Sequence, residues 1–85
     1  MARYFFHTEH RVSFKDEEGT ELPSLEHAKE KAIHVLTRRL AEDAHVFWEV
    51  ENLTVTVADE AGLTLFMLTV DATCSPAVHH QQGSR

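Results

Sequence analysis

Apolar and polar positions alternate with a period of two near the start of the chain. Arg3 to Thr8 reads as an aromatic-rich strand, with Tyr4 and Phe6 pointing one way and Phe5 and His7 the other. Arg11-Val12-Ser13-Phe14-Lys15 repeats the alternation, which predicts a second strand with Val12 and Phe14 on a buried face. Glu9 and His10 leave room between them only for a tight hairpin. Asp16-Glu17-Glu18-Gly19 breaks the pattern as a turn, because Asp bonds its own backbone and Gly adopts positive φ without a steric penalty. The period then changes to that of a helix. Ser24 is an N-cap, Glu26 puts a negative charge in the first turn, and Leu25, Ala28, Ala32, Val35, Leu36 and Leu40 form one stripe to about Glu42. The opposite side carries His27, Lys31, His34 and Arg38 as a single exposed column.

Beyond the helix the apolar phase runs on even numbers through Val46, Trp48 and Val50, and on odd numbers through Leu53, Val55 and Val57. A regular strand cannot change faces in this way, so a bulge or turn is expected near Glu51-Asn52. Asp59-Glu60-Ala61-Gly62 is a further turn and Leu63 to about Val70 a last strand, again two-faced: Leu63, Leu65 and Met67 against Phe66, Leu68 and Val70. The segments Asp16 to Leu22 and Asp59 to Leu65 share the form D-E-x-G-x-x-L, one turn type used twice. These elements predict an α+β fold of ββαββ order, a four-stranded antiparallel sheet with one long helix packed on one face. A right-handed crossover suggests the strand order 2-1-3-4. Residues 1–72 are expected to form this single domain, and the small, polar stretch 73–85 a disordered tail.

Composition narrows the partners. The 85 residues are 42% apolar and 26% charged, which is globular rather than disordered. A net charge of −6 is the wrong sign for nucleic acid, where phosphate neutralisation supplies most of the affinity. No apolar run approaches a membrane span, and the opening residues turn polar too soon for an export signal. One cysteine, Cys74, excludes an internal disulfide and agrees with a cytoplasmic location. Seven histidines make the charge steeply pH-dependent between about pH 7 and 5.

Candidate chemistry is sparse. No Gly-x-Ser-x-Gly or phosphate-cradling loop occurs, and the chain has only three glycines. His7 and His10 would face opposite sides of one strand, and His27 and His34 stand two turns apart, roughly 10 Å, too far to share one zinc ion. His79-His80 lies in the tail. No catalytic residue, metal or cofactor is therefore assigned, and an enzyme ranks third. The favoured reading is a non-catalytic protein-interaction module, a homodimer or the partner of another protein, because one helix covers only one face of a sheet whose strands are apolar on both. The helix column, with Phe5 and His7 on the sheet, supplies the candidate contacts, the column as an acid-sensitive cationic face for an acidic partner. The alternative is a histidine-dependent binding protein for a small ligand or for sensing pH, using His7 and His34.

Several pieces together resemble a known family. Arg3-Tyr4-Phe5-Phe6-His7, then Asp16 to Leu25 before an alanine-containing helix, Trp48, and Val57 to Gly62 occur in this order. In that ordered set, over roughly residues 3 to 70, the chain is similar to a family of short domains of unknown function from alphaproteobacteria of the rhizobial kind. The resemblance implies an intracellular bacterial stand-alone domain and transfers no activity or site residue. Members often carry an Asp-Gly hairpin after the first strand and an acidic residue three after the helix cap, positions that here read His10-Arg11 and His27. The helix start is also faintly similar to antitoxins of the HicB type, which usually add a DNA-binding segment.

Overall fold

The computed structural model describes residues 1–78. It contains β1 (Ala2–Glu9), β2 (Ser13–Phe14), β3 (Thr20–Leu22), α1 (Leu25–Glu42), α2 (Ala44–Val50), β4 (Asn52–Ala58) and β5 (Thr64–Asp71). The class is α+β as expected, but the architecture is not four strands with one helix: the antiparallel sheet has five strands and the helical layer two helices. The main path β2-β1-β4-β5 follows the anticipated order, and β3 joins the same outer side of β1 further along.

α1 occupies the span its caps dictate. Ser24 is extended, and its Oγ accepts the His27 N–H at 3.3 Å. The His27 ring Nδ1 stands 2.8 Å from the same Oγ, so His27 fills the place a capping-box Glu would take. Ala28 and Ala32 are wholly buried, and their small side chains let the helix lie close on β4 and β1. Leu36, Tyr4, Phe6, Phe47, Leu53, Val55 and Val57 complete the core, with Val35 and Leu40 packed at its margin.

Three expectations about local structure are corrected. The Val46 to Val50 segment, read as a strand, is helix α2. Phe47 is buried, Val46 and Val50 are half-buried and Trp48 is exposed, which is helical spacing; packing against the core overrides the β preference of Val-Phe-Trp. The break inferred near Glu51 is real but takes the form of a helix end: Glu51 has φ 66°, and its N–H returns to the Phe47 carbonyl. The second strand shrinks to two residues, joined to β1 by the three-residue connection His10 to Val12. Val12 and Phe14 are 50% and 43% exposed rather than buried, since they lie at the outer edge of the sheet and Phe14 is covered only in part, by the Arg39 side chain of α1 and the His10 ring.

β2 and β3 act as one interrupted edge strand. Between them, residues 15–19 leave the sheet, and the Asp16 carboxylate accepts the Phe6 N–H at 3.1 Å in place of a strand carbonyl. Gly19 closes this excursion at φ 73°, so close to β1 that a Cβ would stand 2.8 Å from Arg3 Cγ, 2.9 Å from Phe5 Cε2 and 3.0 Å from the Tyr4 carbonyl oxygen. The expected tail at 73–85 falls partly outside the described residues, with His79 and His80. Within them, the Ala72 N–H bonds the Glu51 carbonyl at 3.0 Å.

Candidate functional site

Sheet alternation divides the aromatic first strand as its sequence demands. Tyr4, Phe6 and Thr8 are buried under the helices, while Phe5 and His7 lie half-exposed on the opposite, uncovered face. There the strand register sets Phe5 beside Ala58 and His7 beside Thr56, with Met67 next across on β5. One end of this face holds a cavity of about 540 Å³ lined by Phe5, His7, Ala58 and Thr64 from the sheet, and by Lys15, Asp16, Glu17, Asp59, Glu60 and Gly62 from two turns. The two D-E-x-G segments are thus its opposing walls.

Both turns are built by their aspartates. Asp16 Oδ1 accepts the N–H groups of Glu18 at 3.2 Å and Gly19 at 3.0 Å. Asp59 Oδ1 accepts those of Ala61 and Leu63, each at 2.9 Å. Burial works to raise the pKa of Asp16, but the N–H groups of Gly19, Phe6 and Glu18, with His7 nearby, outweigh it and hold the carboxyl below its ordinary value. The carboxylate is therefore spent on the fold. His7 is similarly engaged, since its Nδ1 accepts the Asp16 N–H at 3.0 Å, which assigns the neutral ring's proton to Nε2. A base needs a free lone pair, and in this tautomer His7 offers only an N–H donor. Among the described residues no group of three or more His, Cys, Asp or Glu is placed to hold a metal ion.

The helix column separates into two parts. Lys31, His34 and Arg38 line a shallow groove of about 380 Å³ together with Val35 and Thr37. Lys31 leans inward, its Nζ 5.4 Å from the centre of the Phe6 ring. His27 is not in the groove but turned to the helix cap. His7 and His34, paired in the alternative reading, lie on opposite sides of the sheet, since α1 packs on the face that His7 does not share.

His10 and Arg39, which the sequence placed in no site, organise the other end. The His10 side chain is almost wholly buried, its Nδ1 accepting the Arg11 N–H at 2.7 Å and its Nε2 3.5 Å from the Asp43 carboxylate. Arg39 also reaches Asp43 at 3.5 Å and places its guanidinium 4.8 Å from the centre of the Phe14 ring. Arg11 pairs with Glu49. These contacts tie the β1–β2 connection to the junction of α1 and α2.

Residues 3–71 match the family model described as a domain of unknown function, DUF6894. The chain belongs to the DUF6894 family. The match spans β1 through β5, so both walls of the cavity and the whole helix column are part of the DUF6894 domain. No curated protein and no solved structure matches the chain. Family membership accordingly assigns a fold unit and no activity. No helix among the described residues is long and apolar enough to cross a membrane.

Proposed function

We propose that this DUF6894 domain is a non-catalytic protein-interaction module that works as a homodimer. The observation that carries the reading is the apolar surface left on the outer part of the sheet. Both helices pack on one face; Met67, in register with Thr56 and His7 on the other, is 62% exposed, and Leu63 just before β5 and Leu65 at its start are 63% and 37% exposed. Exposed apolar side chains gathered on a small monomer mark an interface. The use of the His7 Nδ1 lone pair and of the Asp16 carboxylate in the fold supports the non-catalytic half of the reading.

The groove along α1 gives the module a second face of opposite character. Lys31 and Arg38, joined by His34 when it is protonated, suit an acidic protein surface, and the overall charge of −6 disfavours nucleic acid there. A single cysteine and the bacterial likeness of the sequence favour a cytoplasmic setting. Sedimentation velocity over a wide concentration range tests the homodimer. Capture from a cytoplasmic extract, with Lys31→Glu/Arg38→Glu as the control bait, tests the helix face. One stoichiometric partner lost with that variant supports the module; a strict monomer that captures nothing refutes it.

One observation favours a second reading, histidine-dependent binding of a small ligand. His7 lines the open-face cavity, and among the described residues its Nε2–H makes no hydrogen bond. A titration followed by NMR would decide it, since a ligand bound there must shift the His7 ring signals and lose affinity in His7→Phe.

A further inference from the structure

The two edges of the sheet are unlike. The outer edge of β1 is filled piecewise by two residues of β2, the Asp16 carboxylate and three residues of β3. Short, interrupted edge strands of this kind resist further pairing. The opposite edge, β5, runs for eight residues with one irregularity at Leu65, opposite Val57 and Ala58; it is paired to β4 on one side and, among the described residues, to no strand on the other. About half of its N–H and C=O groups point outward, as they do along any antiparallel edge. Nothing in its sequence blunts it. From Leu63 to Val70 there is no charge, proline or glycine.

We infer that this edge takes the β5 of a second copy, antiparallel, joining the two sheets into one. The inference rests on the homodimer reading and names its surface. Three features select a second copy as the occupant. First, chains of net charge −6 repel one another, and the stretch from Ala61 to Val70 is where the surface strand carries no charge. Second, apolar side chains stand on both faces of β5: Met67 exposed on one, and Phe66, Leu68 and Val70 half-buried on the other, at the margin of the helix layer. A continued sheet brings the helix layer of its second half up beside Phe66, Leu68 and Val70, and on the open face sets Met67 beside its own copy. Third, an antiparallel pair of identical strands is complementary by symmetry. A two-fold axis normal to the sheet at Met67 sets Met67 against itself and Leu65 against Thr69. It also places the charged end, Asp71, beside Leu63 of the second copy. The two Asp71 carboxylates then lie roughly 27 Å apart at the rise of a β-strand.

The test uses the full chain. Met67→Lys puts two ammonium groups together at the axis without touching the core, and like charges directly opposite destabilise strand pairs. It is expected to weaken dimerisation by tenfold or more in sedimentation velocity, with the circular dichroism spectrum unchanged. Ile33→Lys, an equally exposed apolar site on α1, is expected to leave the dimer intact. Met67→Cys in a Cys74→Ser background is expected to form an intermolecular disulfide on mild oxidation, because residues facing each other across an antiparallel pair lie within disulfide reach. A dimer that survives Met67→Lys and gives no Met67→Cys cross-link overturns the edge pairing and leaves the homodimer reading standing. A parent protein that stays monomeric to millimolar concentration overturns both.

Discussion

The twin D-E-x-G turns invite a matched perturbation, alanine at Gly19 and at Gly62. Both glycines have positive φ, 73° and 85°, so either alanine meets the left-handed penalty of about 1–2 kcal/mol. There the likeness ends. A Cβ at Gly62 meets nothing within 4 Å. At Gly19 the same atom falls within 3.0 Å of three others, one of them the backbone carbonyl oxygen of Tyr4 in the central region of the sheet. The Arg3 side chain can swing away; the Tyr4 carbonyl and the Phe5 ring cannot move without disturbing β1. Overpacking of that sort adds about 1–3 kcal/mol, so Gly19→Ala is expected to lose about 2–5 kcal/mol in total against about 1–2 for Gly62→Ala. A domain of this size holds only about 4–13 kcal/mol. In urea denaturation followed by Trp48 fluorescence, the midpoint for Gly19→Ala should fall well below that for Gly62→Ala, with similar slopes. In thermal melts Gly62→Ala should lower Tm by about 4–16 °C, and Gly19→Ala by clearly more. Equal losses at the two positions would refute the argument from close approach.

Three other outcomes follow from particular contacts. Asp16 has a folded-state pKa below its ordinary value, so its stabilisation is complete above the unfolded value near about 3.9 and disappears as pH falls through the folded one. Asp16→Asn should therefore lower stability at pH 7 and flatten its decline between about pH 5 and 2 in pH-dependent urea titrations. Cys74 donates to the Glu51 carboxylate at 3.4 Å; that bond, burial and the nearby negative charge raise the thiol's pKa. Alkylation by iodoacetamide at pH 8 should be slow, and several-fold faster in Glu51→Gln, because the thiolate is the reacting form. Glu51 itself sits at φ 66°, a position glycine occupies more easily, so Glu51→Gly should raise stability by about 0.5–1 kcal/mol in thermal melts.

α1 was readable because its signals agree: a serine cap, a first-turn glutamate and one continuous apolar stripe, and it runs from Leu25 to Glu42 as read. α2 was not. In a seven-residue window Val46, Trp48 and Val50 mimic strand alternation, and only the tertiary burial of Phe47 reveals the helix. β3 was missed because three residues carry no periodicity; its pairing with β1 comes from the turn that Asp16 and Gly19 build. Val12 and Phe14 alternate correctly, yet alternation shows a shared face and not whether anything covers it. Phe14 packs instead on Arg39 and the edge of the His10 ring. The same limit applies to the site. That Phe5 and His7 share a face was plain from β1 alone. That a cavity stands over them was not, since its walls, at Asp16 and Asp59, meet only through the pairing of β1 with β4.

That pairing has a consequence for how the chain is made. Phe6 pairs with Val57, so β1 waits for a partner 51 residues later in the chain (57 − 6). At synthesis rates of about 5–20 residues per second, the wait is about 3–10 seconds. During it, Tyr4-Phe5-Phe6 has only β2, β3 and α1 to cover it as each emerges, while the β4–β5 hairpin can close at once when its own turn emerges. The most aromatic stretch of the domain is thus the one that waits longest for its neighbour in the sheet, and translation speed through α1 sets the length of that wait.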